Sequence, residues 1–160
     1  MTIIKILLFF TIITFFMPFF SVSCSYNTED GGIDFSGLDI STGKYIGDYR
    51  QNGNLLGFIL VISPVVLLAL SFLIDKTKNI KLHNISKYIF FIAPIFDIFA
   101  AFVVRFAFEA VLTGRIRRMN LENIPVRVDI KLGFVLYIIL NAVVFVFAVI
   151  NYFNYFAKRE

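Results

Sequence analysis

The sequence has no tryptophan, one cysteine (Cys24) and one histidine (His83). A lone cysteine permits neither an intrachain disulfide nor a Cys-x-x-Cys pair, which excludes the four-span enzymes that make disulfides. The histidine stands in a polar stretch between apolar runs, so a metal centre would rest on carboxylates and amides, a poor donor set. No serine–histidine or metalloprotease arrangement is available inside the apolar segments, and no Gly-rich phosphate loop precedes a lysine. Gly31-Gly32 and Gly43 read as turns. With no nucleophile–base pair and no cofactor motif, the chain reads as a non-enzymatic protein without a cofactor.

What is abundant is apolar sequence. Hydrophobic residues make up 59% of the 160-residue chain, against roughly 45–50% in a soluble domain. They fall in four runs, at about 3–20, 55–74, 88–112 and 132–156, and a helix needs about 20 such residues to cross the hydrocarbon core. The predicted fold is an all-α membrane protein, a four-helix transmembrane bundle forming one domain over residues 1–160. Pro64 lies inside the second run and frees the carbonyl of Leu60, four residues back, for which Ser63 is a candidate partner. The net charge of +4 belongs to membrane edges, where Lys and Arg meet lipid headgroups, and not to a nucleic-acid surface.

Two polar loops should share one side of the membrane, residues 21–54 and 113–131. In the first, Ile33-Asp34-Phe35 and Leu38-Asp39-Ile40 alternate about Ser36-Gly37, a hairpin pattern. In the second, Val126-Arg127-Val128-Asp129-Ile130 alternates and reads as a strand leading into the fourth span. Glu29, Asp30, Asp34, Asp39 and Asp48 against Lys44 and Arg50 give the first loop a net charge of −3. Arg115, Arg117, Arg118, Arg127 and Lys131 against Glu122 and Asp129 give the second +3. The two loops are therefore expected to pack as one extracytoplasmic cap with a small β-sheet. Basic residues divide seven against seven between the two sides, so the positive-inside count does not orient the chain. Lys5 before the first span and an acidic loop after it favour cytoplasmic termini, and Tyr88, Tyr152 and Tyr155 mark an interface at that end.

Pro18-Phe19-Phe20-Ser21-Val22-Ser23-Cys24, followed by Ser36-Gly37-Leu38-Asp39-Ile40-Ser41-Thr42-Gly43, resembles a pattern in small four-span bacterial membrane proteins. There a first span ends in Pro-Phe, then Val-Ser-Cys, then a Ser/Thr-Gly-x-x-[Leu/Ile]-x-x-Gly segment, and the function is mostly unassigned. The layout also resembles that of claudins in topology alone, because the claudin tryptophan and paired loop cysteines are absent. The resemblance, with the Ile-, Phe-, Lys- and Asn-rich composition, implies the inner (plasma) membrane of a bacterium.

The polar residues inside the apolar runs are Asp97, Arg105 and Glu109 in the third and Asn141 in the fourth. Ionisable groups inside a bilayer are costly and mark functional candidates. At about 100° per residue, Asp97 and Arg105 lie about 80° apart and Arg105 and Glu109 about 40° apart. All three are thus expected on one face turned into the bundle, with Arg105 and Glu109 paired at i, i+4 and Asp97 hydrogen-bonded to Asn141. Cys24, at the membrane edge, is a candidate for lipid attachment or an intermolecular disulfide. The expected function is an accessory or interaction subunit that works through its outer loops, in contact with membrane lipids and with a protein partner or its own copies. The alternative is a small oligomeric channel or transporter with a polar path at Asp97 and Asn141.

Overall fold

The computed structural model describes residues 2–23, 32–46, 49–76, 80–118 and 127–156. It begins with helix α1, Thr2–Thr14. The apolar run goes on to Phe20, but the helix does not. Pro18 cannot donate to the carbonyl of Thr14 and its ring would clash there. That carbonyl instead accepts the backbone N–H of Met17 at 3.0 Å. Phe19, Phe20 and Val22, aromatic or β-branched, suit a pleated surface, and the segment forms strand β1, Pro18–Ser23. The expectation of a helical first span over 3–20 is corrected accordingly.

Strand β2, Ile33–Ser36, pairs antiparallel with β1. The predicted second arm of that hairpin is a short helix, α2, Gly37–Thr42. Ser36 makes it so: its hydroxyl accepts the N–H of Asp39 at 3.1 Å, and the Asp39 carboxylate accepts the N–H of Ser36 at 2.9 Å. This reciprocal capping box starts a helix where alternation alone suggests a strand. Gly43 follows with φ of 89°, a backbone that side-chain-bearing residues rarely adopt. A second hairpin pairs β3, Gly43–Ile46, with β4, Tyr49–Asn52.

Three long helices follow: α3, Leu55–Lys76; α4, Ile80–Arg118; and α5, Leu132–Phe156. Each holds a segment long and apolar enough to cross a membrane, and α1 is shorter. The expected start of the third span at Tyr88 and its end at Leu112 are both exceeded by α4. A helix emerging into water keeps its own hydrogen bonds, so the helix does not end where the apolar run does. Between α4 and α5 lies β5, Arg127–Ile130, which pairs with the free side of β1 to give the sheet order β2-β1-β5. Val126, the expected first residue of this strand, lies outside the described residues.

The helices alternate in direction. Lys5 at the start of α1 forms an ion pair with Asp75 at the end of α3, so α1 begins at the level where α3 finishes. The sheet, α2 and the second hairpin gather at the other end as a cap. Its mortar is aromatic: Phe15, Phe19, Phe20 and Phe35 are buried with Phe108 of α4 and Phe134 and Tyr137 of α5. The Phe20 and Phe108 rings stack at 5.3 Å. Between the two loops only one ion pair, Lys131–Asp34 at 3.9 Å, is found among the described residues, and it is exposed. Strand pairing and ring packing, not the opposite loop charges, unite the cap. The flanks of the helices are covered with exposed apolar side chains, among them Phe9 at 55%, Phe99 at 66% and Phe106 at 63%. Patches of that extent are not left in water by soluble proteins, and this is the architecture of a helical membrane protein.

Candidate functional site

The interior divides into two apolar clusters. One lies toward the cap and includes Phe15, Leu60, Ala100 and Tyr137. The other lies toward the Lys5–Asp75 end and includes Leu8, Leu67, Phe90 and Val144. Along every helix a polar residue stands between the two: Thr11 between Leu8 and Phe15, Ser63 between Leu60 and Leu67, Asp97 between Phe90 and Ala100, and Asn141 between Tyr137 and Val144. Thr11, Asp97 and Asn141 are each 0% exposed.

The bonds in this layer follow from what each residue can donate. Pro64 has no N–H, so α3 cannot satisfy the carbonyl of Leu60 itself. The buried hydroxyl of Tyr137 donates to that carbonyl at 2.9 Å. Ser63, the residue expected to help there, donates instead to Oδ2 of Asp97 at 2.8 Å. Asn141 turns back on its own helix, its Nδ2 donating to the Tyr137 carbonyl at 3.0 Å. Thr11 likewise donates to the carbonyl of Leu7 at 2.9 Å. The expected Asp97–Asn141 hydrogen bond is thus replaced by Asp97–Ser63 and by a bond inside α5. Oδ1 of Asp97 and Oδ1 of Asn141 are both buried and receive no hydrogen bond from the described residues.

The other sequence candidates lie elsewhere. Arg105 is half-buried, with its guanidinium 5.9 Å from the centroid of the Phe106 ring. Glu109 is exposed and lines an open groove of about 480 Å³ with Phe106, Ala110, Thr113 and Gly114. Among the described residues the two form no ion pair with each other. The shared inward face is corrected: only its Asp97 end turns into the bundle, and Glu109, a turn beyond Arg105, lies at the surface of the bundle. Cys24 lies outside the described residues. No cluster of three or more metal-ligating side chains occurs among the described residues.

Tyr137 and Thr11 were not among the sequence candidates. A tyrosine in mid-run needs an acceptor when buried, and Pro64 supplies one. That complementarity was the available signal. At the cap, a second groove of about 350 Å³ is lined by Asp39, Asn52, Asn54, Leu55, Phe108 and Val111, among others. Burial pushes the Asp39 carboxyl up, but the Ser36 N–H, the Ser36 hydroxyl and Lys44 outweigh it and hold the carboxyl below its ordinary value.

No protein family, no curated protein and no solved structure matches the chain.

Proposed function

We propose that the chain is a four-span, non-enzymatic protein of a bacterial inner membrane, with both termini cytoplasmic, acting as an accessory or interaction subunit through its extracytoplasmic cap. The observation that carries this reading is a sheet with two open edges held firmly on the bundle. β1 is central, its Phe19 and Phe20 sunk in the aromatic cluster. The far edges of β2 and β5 have no partner strand among the described residues. Ile33 and Ile130 stand exposed on these edges at 41% and 39%. Open edges offer backbone donors and acceptors to an added strand.

The fourth crossing falls to α1 and β1 together. Thirteen helical residues reach only about 20 Å, short of the roughly 30 Å core. The chain then continues extended, and non-helical backbone is tolerated at membrane depth where protein surrounds it. The start of β1 meets that condition, since Phe19 and Phe20 are buried among the helices.

The test is affinity purification from native membranes in mild detergent, with a photo-crosslinking residue at Ile33 or at Ile130. A stoichiometric partner crosslinked from these positions and not from Ile92 on a helix flank is expected. A second copy of the chain captured there would make the subunit self-associating. A monodisperse, uncrosslinked monomer would sink the proposal. A C-terminal reporter active only outside the cytoplasm would overturn the orientation.

A further inference from the structure

The polar layer is rich in acceptors and short of donors. The hydroxyl of Ser63 is committed to Asp97, that of Tyr137 to Leu60 and that of Thr11 to Leu7. The Asn141 amide donates to the Tyr137 carbonyl. Two carboxyl and amide oxygens, Asp97 Oδ1 and Asn141 Oδ1, are left with no donor. A buried acceptor in that state carries the full cost of its lost hydration, and a buried carboxylate without a counter-charge carries more.

No basic side chain among the described residues is placed to relieve it. From α1 the residue at this level is Thr11, and Lys5 is engaged with Asp75 at the bundle end. From α3 it is Ser63. On α4 the nearest basic residue is Arg105, about 12 Å along the helix axis and half-buried beside Phe106. From α5 come Tyr137 and Asn141, neither of them basic, with the Asn141 amide turned back onto the Tyr137 carbonyl.

We propose that this layer is a proton-binding site, with Asp97 as the residue that holds the proton and Ser63 as the group that positions it. A proton on the carboxyl removes the unpaired charge and turns an acceptor into an O–H donor. It does so without adding volume to a packed interior, which a hydrated cation would need. The inference is independent of any partner at the cap.

The test is infrared spectroscopy of the full chain in lipid nanodiscs, with the aspartates isotopically labelled at the side-chain carboxyl, in light and heavy water. At neutral pH one protonated-carboxyl band per chain is expected. It should shift with the label, disappear in Asp97→Asn and change frequency in Ser63→Ala, which deletes the bond to Oδ2. Asn at position 97 supplies an N–H where the proton stood, so the variant is expected to fold. Should it fail to, the labelled wild-type spectrum and Ser63→Ala still decide. Absence of a protonated aspartate band in the wild type would overturn the proposal, as would a band that survives Asp97→Asn. A band that appears only when sodium, lithium and potassium are withdrawn would mark a monovalent-cation site and overturn it equally.

Discussion

Tyr137→Phe isolates one bond at the centre of the bundle. The ring stays, with its packing against Phe19 at 5.7 Å between centroids, and only the donor to the Leu60 carbonyl is deleted. Leaving a buried acceptor bare costs about 1–3 kcal/mol in soluble proteins, whereas interhelical hydrogen bonds in membranes average about 0.6 and reach about 1.7 kcal/mol. The Leu60 carbonyl has no fallback within α3, because Pro64 occupies the position that would donate to it. The cost is therefore placed near the upper end of the membrane range, about 1–1.7 kcal/mol. Pro64→Ala restores the missing N–H. In that background Tyr137→Phe should cost less than about 0.5 kcal/mol, a coupling of about 1 kcal/mol between residues on different helices. The assay is unfolding of the four proteins in mixed micelles of mild detergent and dodecyl sulfate. Equal cost of Tyr137→Phe in both backgrounds would refute the reasoning, since Tyr137 would then not be serving the carbonyl that Pro64 frees.

A Cβ at Gly133 would lie 2.6 Å from the carbonyl oxygen of Pro18 and 2.9 Å from Cβ of Met17, so Gly133→Ala should push β1 off α5 and cost about 1–3 kcal/mol in the same assay. At Gly114 nothing lies within 4 Å, and Gly114→Ala should gain up to about 1 kcal/mol from helix propensity; a loss as large as that at Gly133 would contradict the close-approach argument. Asp39 is held below the ordinary aspartate value of 3.8, so its contribution to the cap is present above that value and lost as pH falls through the lower folded value. Acid unfolding of the cap, followed by amide exchange over α2, should therefore lose part of its pH dependence in Asp39→Asn, and unchanged dependence would assign it elsewhere. Lys5→Glu should destabilise by no more than about 1 kcal/mol, because surface ion pairs are weak, and Asp75→Lys should restore it; no rescue would mean that the two ends do not meet.

The parts legible in the sequence are those set by a long apolar run alone. The starts of α3 at Leu55 and of α5 at Leu132 follow from where polar loop gives way to twenty or more apolar residues. So does the sheet partner that α5 carries before it, since the alternation over 127–130 has no helical reading. Run length misleads where a single residue overrides it. Pro18 ends α1 inside an unbroken apolar stretch, and the residues after it become the central strand. Ser36 turns an alternating segment into a capped helix. Hydropathy is blind to both, because each acts through one backbone group. At the site, Asp97 and Asn141 were visible as polar residues in apolar runs, but their partners were not. Which of Ser63, Tyr137 and Asn141 faces Asp97 depends on helix rotation, and an apolar run with few polar marks fixes rotation weakly.

The polar layer bears on that last point directly. In a bilayer, apolar contact between helices gains little over contact with lipid, so packing and polar bonds must specify which faces meet. Here both large apolar clusters are built largely from Leu, Ile, Val, Phe and Ala, side chains that would tolerate a shift of one helix along another. The bonds between them would not. A one-turn slide of α3 would take Ser63 from Asp97 and the Leu60 carbonyl from Tyr137 together, leaving a buried carboxyl and a buried carbonyl bare. At the cap end the same helix is pinned by backbone, with the N–H of Asn54 on the carbonyl of Ile40 at 2.7 Å. The register of α3 is thus fixed twice, once at α2 in the cap and once at mid-bundle. A site that needs a carboxyl and a hydroxyl 2.8 Å apart requires such a double constraint. The polar residues that form the proton site are in this way also the ones that hold it in shape.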